Sequence, residues 1–351
     1  MPDAALPRAV VDPTPIFEHF RGSYGSELLT VAVAHLRLFD MLADGPLPCE
    51  ALRERLALAP RPFVVLRCAL SAMGLLQRDA QGRVGLSDLA REHLLPGGPL
   101  DVSAYVGLAA ESPGVLEMMV RLKSDRPAGM EPQQEGTAFI FREGVESAME
   151  SEATARHLTL SLAGRAKNVA PALAENFPLD GARLLVDVGG GSGIYSIAWL
   201  LRHPQLRAIV VDRPEVLKVA AEFAAQYHVA DRLELRAGDM FADPLPAGAD
   251  VALLSNILHD WNVPECKQLV RRCAEAVAPG GQVLIHDVFL NDTLDGPLPI
   301  ALYSAALFTL TEGRAYSAAE YREMLTEAGL QPGAIVPTLV HCGVLPGVKP
   351  A

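Results

Sequence analysis

The feature that most constrains this sequence lies in residues 184–194, where a hydrophobic run passes directly into a glycine turn. Leu184–Val188 predicts a buried strand, and four glycines occur among the next five residues. Glycine lets a chain turn tightly and lets a ligand approach the backbone closely. A helix that follows such a turn points its N-terminus at the ligand. The stretch therefore predicts the first strand, turn and helix of a nucleoside-binding α/β sheet.

A carboxylate follows at the next predicted strand. The apolar run 208–211 ends in Asp212, nineteen residues after Gly193, a position that suits the hydroxyls of a ribose. The dinucleotide pattern fails because Ile194 stands where its third glycine would be. The turn also has no P-loop lysine and no other basic residue to meet phosphates. These residues indicate a nucleoside cofactor without a phosphate chain.

A third predicted strand, residues 233–237, leads into Gly238, Asp239, Met240 and Phe241. The acid can bond an adenine amine, and the two large apolar side chains can cover the faces of the ring. Acids for ribose and adenine, without a phosphate cradle, describe S-adenosylmethionine. The candidate cofactor residues are Asp187, Gly189, Gly191, Asp212, Arg213, Gly238, Asp239, Met240, Phe241 and Ser255.

Three motifs carry a family resemblance: the glycine turn at 187–193, the segment 238–241 and the Ile-Leu-His-Asp-Trp segment at 257–261. Their order and spacing resemble the dimeric class I S-adenosylmethionine-dependent O-methyltransferases of the caffeate, hydroxyindole and antibiotic-tailoring type. Residues 311–317, followed by Glu320 and Tyr321, resemble the hydroxyindole members. The resemblance covers nearly the whole chain. It implies an α/β fold with a Rossmann-like seven-stranded methyltransferase sheet, its last strand antiparallel, and an N-terminal, mostly helical winged-helix dimerisation domain.

The predicted organisation has three parts. Residues 1–100 are the winged-helix-like dimerisation domain, 101–175 a helical linker that contributes to the substrate pocket, and 176–351 the cofactor domain. Short alternating strands and helices require a parallel sheet covered on both faces. The predicted strands are 184–188, 208–212, 233–237, 251–255 and 282–287, with a closing pair near 334–339 and 341–345. A helix is predicted from 145 to 161, continuing toward Leu173.

The N-terminal third predicts helices over 26–42, 49–58 and 61–73, then a hairpin of 75–78 with 84–86. The helix predicted at 26–42 is so apolar that other parts of the protein must cover it on more than one side. Helices followed by a hairpin could form a DNA-binding winged helix, but the helix at 61–73 offers only Arg61 and Arg67, and the net charge is −12. Phosphate neutralisation dominates DNA affinity, so a structural winged helix is favoured. The resemblance implies that this region intertwines two subunits of a homodimer.

His259 is the candidate general base. A phenol is a poor nucleophile until its proton leaves, and a neutral imidazole within hydrogen-bond reach can accept that proton. The resemblance implies that two carboxylates flank this histidine. Asp287 stands at the first position, and Ala315 stands at the second, which leaves Glu312 or Glu320 as substitutes. Ser255 stands where plant members carry a lysine, and His286 is a competing base, although strand alternation points it away from Asp287.

The predicted reaction is methyl transfer to a hydroxyl of a small aromatic or polyketide-like acceptor. Candidate acceptor contacts are Met149, Asn256 and Phe308. Methylation of carbon or nitrogen on the same scaffold stays open, as does a relative that binds S-adenosylmethionine without methylating. A winged-helix regulator that senses the nucleoside is the alternative from another class.

Composition excludes further classes. No apolar run reaches the ~20 residues of a membrane span, and the N-terminus lacks a basic segment followed by an apolar one. The five cysteines show no metal-ligand spacing, so we expect reduced thiols in a cytoplasmic protein and no metal. The acidic balance argues against nucleic acid or anionic membranes as partners.

Overall fold

A computed structural model describes residues 5–126, 140 and 152–351. The chain divides into two compact units. The sheet unit contains the described residues of Met1–Phe17, Glu135–Phe289 and Ala318–Ala351. The helical unit contains those of Glu18–Gln134 and Leu290–Ser317.

Strands and helices alternate from residue 184 onward, after a mostly helical N-terminal part. In chain order, the α-helices are α1 Thr14–Arg21, α2 Gly25–Thr30, α3 Leu38–Met41, α4 Cys49–Leu56, α5 Pro60–Ala72, α6 Asp88–His93, α7 Ser103–Val106, α8 Pro113–Ser124, α9 Glu152–Asn176, α10 Ile194–Arg202, α11 Pro214–Gln226, α12 Val263–Ala276, α13 Leu298–Leu310 and α14 Ala318–Glu327. The strands are β1 Leu76–Arg78, β2 Val84–Leu86, β3 Leu184–Val188, β4 Arg207–Asp212, β5 Leu233–Ala237, β6 Ala249–Ser255, β7 Val277–Leu290, β8 Tyr316–Ser317, β9 Gln331–Pro332, β10 Val336–Pro337 and β11 Cys342–Val348.

The main sheet has the strand order β10-β11-β7-β6-β3-β4-β5. Strands β3 to β7 pair in parallel, whereas β11 runs antiparallel to both β7 and β10. The predicted α/β class with a Rossmann-like sheet and an antiparallel last strand is confirmed. The predicted closing pair is shifted and shorter on one side, since β10 covers two residues only.

The sheet is parallel because its central strands are apolar on both faces and are covered by helices on both sides. On one side, α9 packs through small residues such as Ala163 and Ala170 against α10. There Trp199 is fully buried, and its indole N–H donates to the carbonyl of Phe177 at 2.8 Å. This packing fixes α10 directly behind the glycine turn. The predicted helix from 145 is described only from Glu152 onward.

The predicted single helix over 26–42 is wrong. The chain forms α2, a π-helical turn at Val31–His35 and then α3, with Arg37 in the left-handed region at φ +49° between them. Its apolar side chains, including Leu28 and Phe39, are buried within the helical unit itself, where α2 packs against α5 and α8. The apolar surplus of this segment is therefore covered within one chain and needs no second subunit.

The predicted pair of helices and hairpin is present as α4, α5 and β1–β2, with Leu76 opposite Leu86. Arg61 and Arg67 on α5 are 7% and 4% exposed, so neither guanidinium is available to a phosphate backbone. Arg61 instead donates to the carbonyls of Thr311 and Gly313 at 2.7 and 3.1 Å.

Helix α13 is apolar on every side and packs against α5 in the helical unit. Residues 290–317 thus group with the N-terminal helices, whereas the sequence places them in the cofactor domain. The predicted boundaries near 100 and 175 stay predictions. In the described part of the chain, no helix combines the length and apolarity needed to cross a bilayer.

Candidate active site

The C-terminal ends of the parallel strands carry the predicted cofactor residues to one edge of the sheet. Main-chain hydrogen bonds join neighbouring strand ends there. The Gly189 N–H donates to the Val211 carbonyl at 2.8 Å, and the Gly238 N–H donates to the Asp212 carbonyl at 3.1 Å. Such an edge is where open α/β sheets bind their ligands. The parallel register therefore brings together turns that are far apart in sequence.

The glycine turn depends on the absence of side chains. Gly189 and Gly193 have positive φ values of +66° and +71°. A Cβ on Gly189 would lie 2.6 Å from the Ile257 side chain, and one on Gly190 would lie 2.6 Å from the Asp187 carboxyl carbon. The turn therefore wraps closely around the buried carboxylate of Asp187.

The two carboxylate oxygens of Asp187 have different surroundings. Its Oδ2 accepts the Ser196 hydroxyl at 2.7 Å, while Oδ1 is buried without a hydrogen-bond partner among the described residues. Burial raises the pKa of this carboxyl to about 7, and the Asp212 charge adds to the effect while the Ser196 hydrogen bond opposes it. A buried carboxylate oxygen without a donor fits an ammonium or hydroxyl group of a ligand.

Asp212, at the end of β4, accepts two backbone N–H groups. The Gly191 N–H reaches Oδ2 at 2.8 Å and the Arg213 N–H reaches Oδ1 at 2.7 Å. Burial nevertheless raises the pKa of Asp212, because it outweighs both hydrogen bonds. Arg213 acts here through its backbone. The two N–H groups hold the carboxylate at the tip of β4, where a ribose diol could reach it.

The segment after β5 folds back toward the glycine turn. The Asp239 carboxylate accepts the Phe241 N–H at 2.7 Å, and the Met240 sulfur lies 3.5 Å from the Cβ position of Gly189. Phe241 is buried with its ring edge-to-face to Trp261, at a centroid distance of 5.0 Å. Glycine turn, Met240 and the His-Asp-Trp segment thus meet. Acids and apolar side chains at this edge fit S-adenosylmethionine.

His259 lies on a 3-10 turn at Leu258–Asp260 and is 4% exposed. Its Nδ1 lies 2.7 Å from Oδ1 of Asp287, on β7, and the same oxygen accepts the Val288 N–H at 2.8 Å. The Asp260 carboxylate lies 3.7 Å from Nε2. The structure therefore brings His259 and Asp287 together as the sequence predicts.

His259 and Asp287 shift each other's pKa in opposite directions. Burial lowers the pKa of His259, but the Asp287 and Asp260 carboxylates outweigh it, so the pKa is raised overall. Burial acts to raise the pKa of Asp287, but the His259 charge and hydrogen bond outweigh it and lower the pKa. Burial raises the pKa of Asp260 to about 6. Each member of the pair therefore favours the charged form of the other.

His286 is a different kind of histidine. It is fully buried, with Nδ1 at 2.8 Å from the Ser255 hydroxyl and Nε2 at 3.2 Å from the Thr338 hydroxyl. Burial, followed by the charge of Arg165, lowers its pKa to about 3. His286 therefore stays neutral and bonded inside the fold, which argues against it as the competing base.

Ser255 and Asn256 form one small cluster at the end of β6. The Asn256 amide nitrogen lies 3.1 Å from the Ser255 hydroxyl and 3.4 Å from the Tyr195 hydroxyl. The Asn256 Oδ1 is buried without a hydrogen-bond partner among the described residues, and its backbone is left-handed at φ +56°. The cofactor contact of Ser255 and the acceptor contact of Asn256 stay predictions.

Tyr321 is a residue to which the sequence assigns no role. It is fully buried on α14, and its hydroxyl donates to Oδ2 of Asp287 at 3.2 Å. An aromatic residue one turn into a helix is ordinary core packing by sequence. Only the antiparallel return of β11 and the placement of α14 reveal the contact.

The remaining predicted residues belong to the helical unit or fall outside the described residues. Glu312 is half-buried and Phe308 buried in the helical unit, where the Arg61 guanidinium stands 4.8 Å from the Phe308 ring centre. Ala315 is fully buried, and its N–H donates to the Ser304 hydroxyl. Met149 lies outside the described residues. Among the described residues, no group of three or more His, Cys, Asp or Glu side chains is placed to hold a metal.

Comparison with known proteins identifies the family. The O-methyltransferase domain model matches residues 136–331. A 3-hydroxy-5-methyl-1-naphthoate 3-O-methyltransferase from Streptomyces sahachiroi is 35% identical over 329 residues, covering 93% of this chain and 92% of that protein. Acetylserotonin O-methyltransferase from Bos taurus is 30% identical over 335 residues, covering 90% and 91%.

A solved structure gives the same result. An O-methyltransferase family 2 protein from Planctomyces limnophilus DSM 3776, crystallised in complex with apigenin, is 47% identical. The match covers 99% of this chain and 98% of that chain, with a TM-score of 0.88. The family model, the relatives and the geometry of the sheet edge agree, and the chain belongs to the S-adenosylmethionine-dependent O-methyltransferases.

Proposed function

We propose that this enzyme methylates a phenolic hydroxyl of a small aromatic or polyketide-like acceptor, with His259 as the general base. The observation that carries the proposal is the buried pair of His259 and Asp287, with 2.7 Å between Nδ1 and Oδ1. The naphthoate enzyme and the protein crystallised with apigenin support an aromatic acceptor, since both named compounds are phenols.

The cofactor supplies an electrophilic methyl group on its sulfonium. In this proposal Asp212 accepts the ribose hydroxyls, Asp239 the adenine amine, and Met240 and Phe241 cover the ring. Asp187 Oδ1, buried and without a donor in the described part of the chain, accepts the amino group. Gly189, Gly191, Gly238, Arg213 and Ser255 complete this surface.

The tautomer of His259 decides which of its nitrogens accepts the proton of the acceptor hydroxyl. Asp287 accepts from Nδ1–H of the neutral imidazole, which leaves Nε2 as the basic nitrogen. Nε2 takes the proton of the acceptor hydroxyl, and the acceptor oxygen would then displace the sulfur from the methyl group that the bound cofactor would supply. Burial of His259 excludes water and strengthens its interaction with Asp287. Glu312 as the second carboxylate, and Met149, Asn256 and Phe308 as acceptor contacts, remain part of this proposal.

We also propose a homodimer formed through the N-terminal domain. Large apolar side chains of the helical unit are strongly exposed, among them Phe20, Tyr105 and Leu108 at 79%, 77% and 80%. Exposed apolar surface of this kind is typical of association sites. The five cysteines are free thiols, four of them buried, which supports a cytoplasmic location. Sedimentation at micromolar concentration tests the dimer, and a monomer would contradict it.

The substitution His259→Ala tests the base. We expect kcat for a phenolic acceptor to fall about 100- to 10,000-fold, with affinity for S-adenosylhomocysteine changed less than about threefold. The matched control is His157→Ala, an exposed histidine on α9, which keeps the wild-type rate. Full activity of His259→Ala would refute the general base.

The alternatives predict other outcomes. A labelled methyl donor offered with panels of phenols, amines and activated carbon acceptors separates O-, N- and C-methylation by the product. A non-methylating relative would bind S-adenosylhomocysteine and label none of the panels.

A further inference from the structure

We propose that Tyr321 is a positioning residue, whose hydroxyl fixes the second oxygen of Asp287 and thereby the plane in which Asp287 holds His259. The inference rests on the proposed general-base function. It concerns a residue outside the motifs that bind the cofactor or contain the base.

Asp287 needs hydrogen-bond donors on both of its carboxylate oxygens. This carboxylate is 1% exposed, so each oxygen needs a donor from the protein. Oδ1 accepts from His259 and from the Val288 N–H. Oδ2 accepts the Tyr321 hydroxyl at 3.2 Å, and no second donor from the described residues reaches it. Removal of that hydroxyl would leave a buried anionic oxygen unsatisfied.

The Tyr321 ring is held in place by its neighbours. Helix α14 buries Tyr321 together with Met324 and Leu325. The ring meets Phe289 edge-to-face, at 5.8 Å between centroids and 85° between planes. Phe289 lies two residues beyond Asp287 on β7, so the strand that carries the carboxylate also holds the ring. The hydroxyl is therefore held by packing.

The Tyr321 hydroxyl also affects the charge that reaches His259. Among the described residues, the charged groups that act on His259 are Asp287, Asp260 and Arg165, from β7, its own turn and α9. A donor on Oδ2 draws part of the Asp287 charge away from the imidazole. Without it, the carboxylate would act more strongly on His259, and its plane would be held through Oδ1 alone. The hydroxyl thus holds the basicity of His259 down and its ring in place.

The test is the pH profile of Tyr321→Phe. We expect the inflection of kcat to move upward by about 0.3 to 1 unit and kcat near neutrality to fall about 3- to 30-fold. We expect affinity for S-adenosylhomocysteine and the acceptor KM to stay within about twofold. The matched control is Tyr227→Phe, a buried tyrosine that follows α11 and stacks on Phe223, and its inflection should not move.

A structural role alone would lower thermal stability and leave the inflection in place, and that result overturns the proposal. If Tyr321→Phe does not fold, 3-fluorotyrosine at position 321 keeps the ring and makes the hydroxyl a stronger donor. The inflection should then move downward, and an unchanged one overturns the proposal. Failure of the base itself would appear instead as an active His259→Ala enzyme.

Discussion

The two units of this molecule bury charge in different ways. In the sheet unit, the imidazole of His259 and the carboxylate of Asp287 bond to each other. In the helical unit, Arg61 and Arg121 are also buried, and their guanidinium groups donate to main-chain carbonyls at the end of α13 as well as to the carboxylates of Asp125 and Glu117. One unit pairs a histidine with a carboxylate, and the other binds permanent cations through both backbone and carboxylates.

The difference shows which buried charges point to chemistry. A guanidinium keeps its proton throughout the working pH range, so Arg61 and Arg121 can only hold structure. Their contacts fix residues 309–313, the segment that contains Glu312. His259 and Asp287 have pKa values displaced in opposite directions by each other, as is typical of groups that exchange protons. Burial alone would not have separated the two clusters.

The largest effect in this comparison should come from Asp287→Asn. The substitution removes the strongest contribution that raises the pKa of His259, so that pKa falls, while the Asp260 charge still opposes burial. The imidazole is a weaker base without its anionic partner on β7. We expect kcat to fall about 100- to 10,000-fold and its inflection to move to lower pH. A rate profile like that of the wild type would contradict this assignment.

A smaller effect, on stability, should come from Arg61→Met. The change leaves the carbonyls of Thr311 and Gly313, and the Asp125 carboxylate, without their donor. We expect a loss of about 3 kcal/mol in the free energy of unfolding, with the kcat inflection unmoved. Arg55→Met, an exposed arginine on α4, is the matched control in denaturant unfolding. If Arg61→Met moved the inflection, the two clusters would not be separate in function.

Much of the sheet unit could be predicted from the sequence, because each of its signals is local. The residues at 184–193 predict a strand and a tight turn directly, because a side chain at position 190 would collide with Asp187. Asp287 could be placed at the sheet edge because it is the last residue of the predicted strand 282–287, although β7 continues to Leu290. His286, one residue earlier, could be assigned to the other face by alternation.

The rest depended on packing between distant segments. The break at Arg37 has no glycine or proline to signal it, so the dense apolar run 26–42 predicts one helix. The burial of Arg61 could not be predicted, because the residues at 311–313 that accept its hydrogen bonds are some 250 positions away. Tyr321 is 34 residues from Asp287, and its hydroxyl bond follows only from the placement of α14.

The most direct test of the account is the pH dependence of methyl transfer by the wild-type enzyme, under single-turnover conditions with saturating acceptor. The base must be neutral to accept a proton, and the pKa of His259 is raised above its ordinary 6.5. We predict a rate that rises with pH through one inflection above that value, and a rise that is absent in His259→Ala. A rate independent of pH from about pH 5 to pH 10 would contradict His259 as the general base.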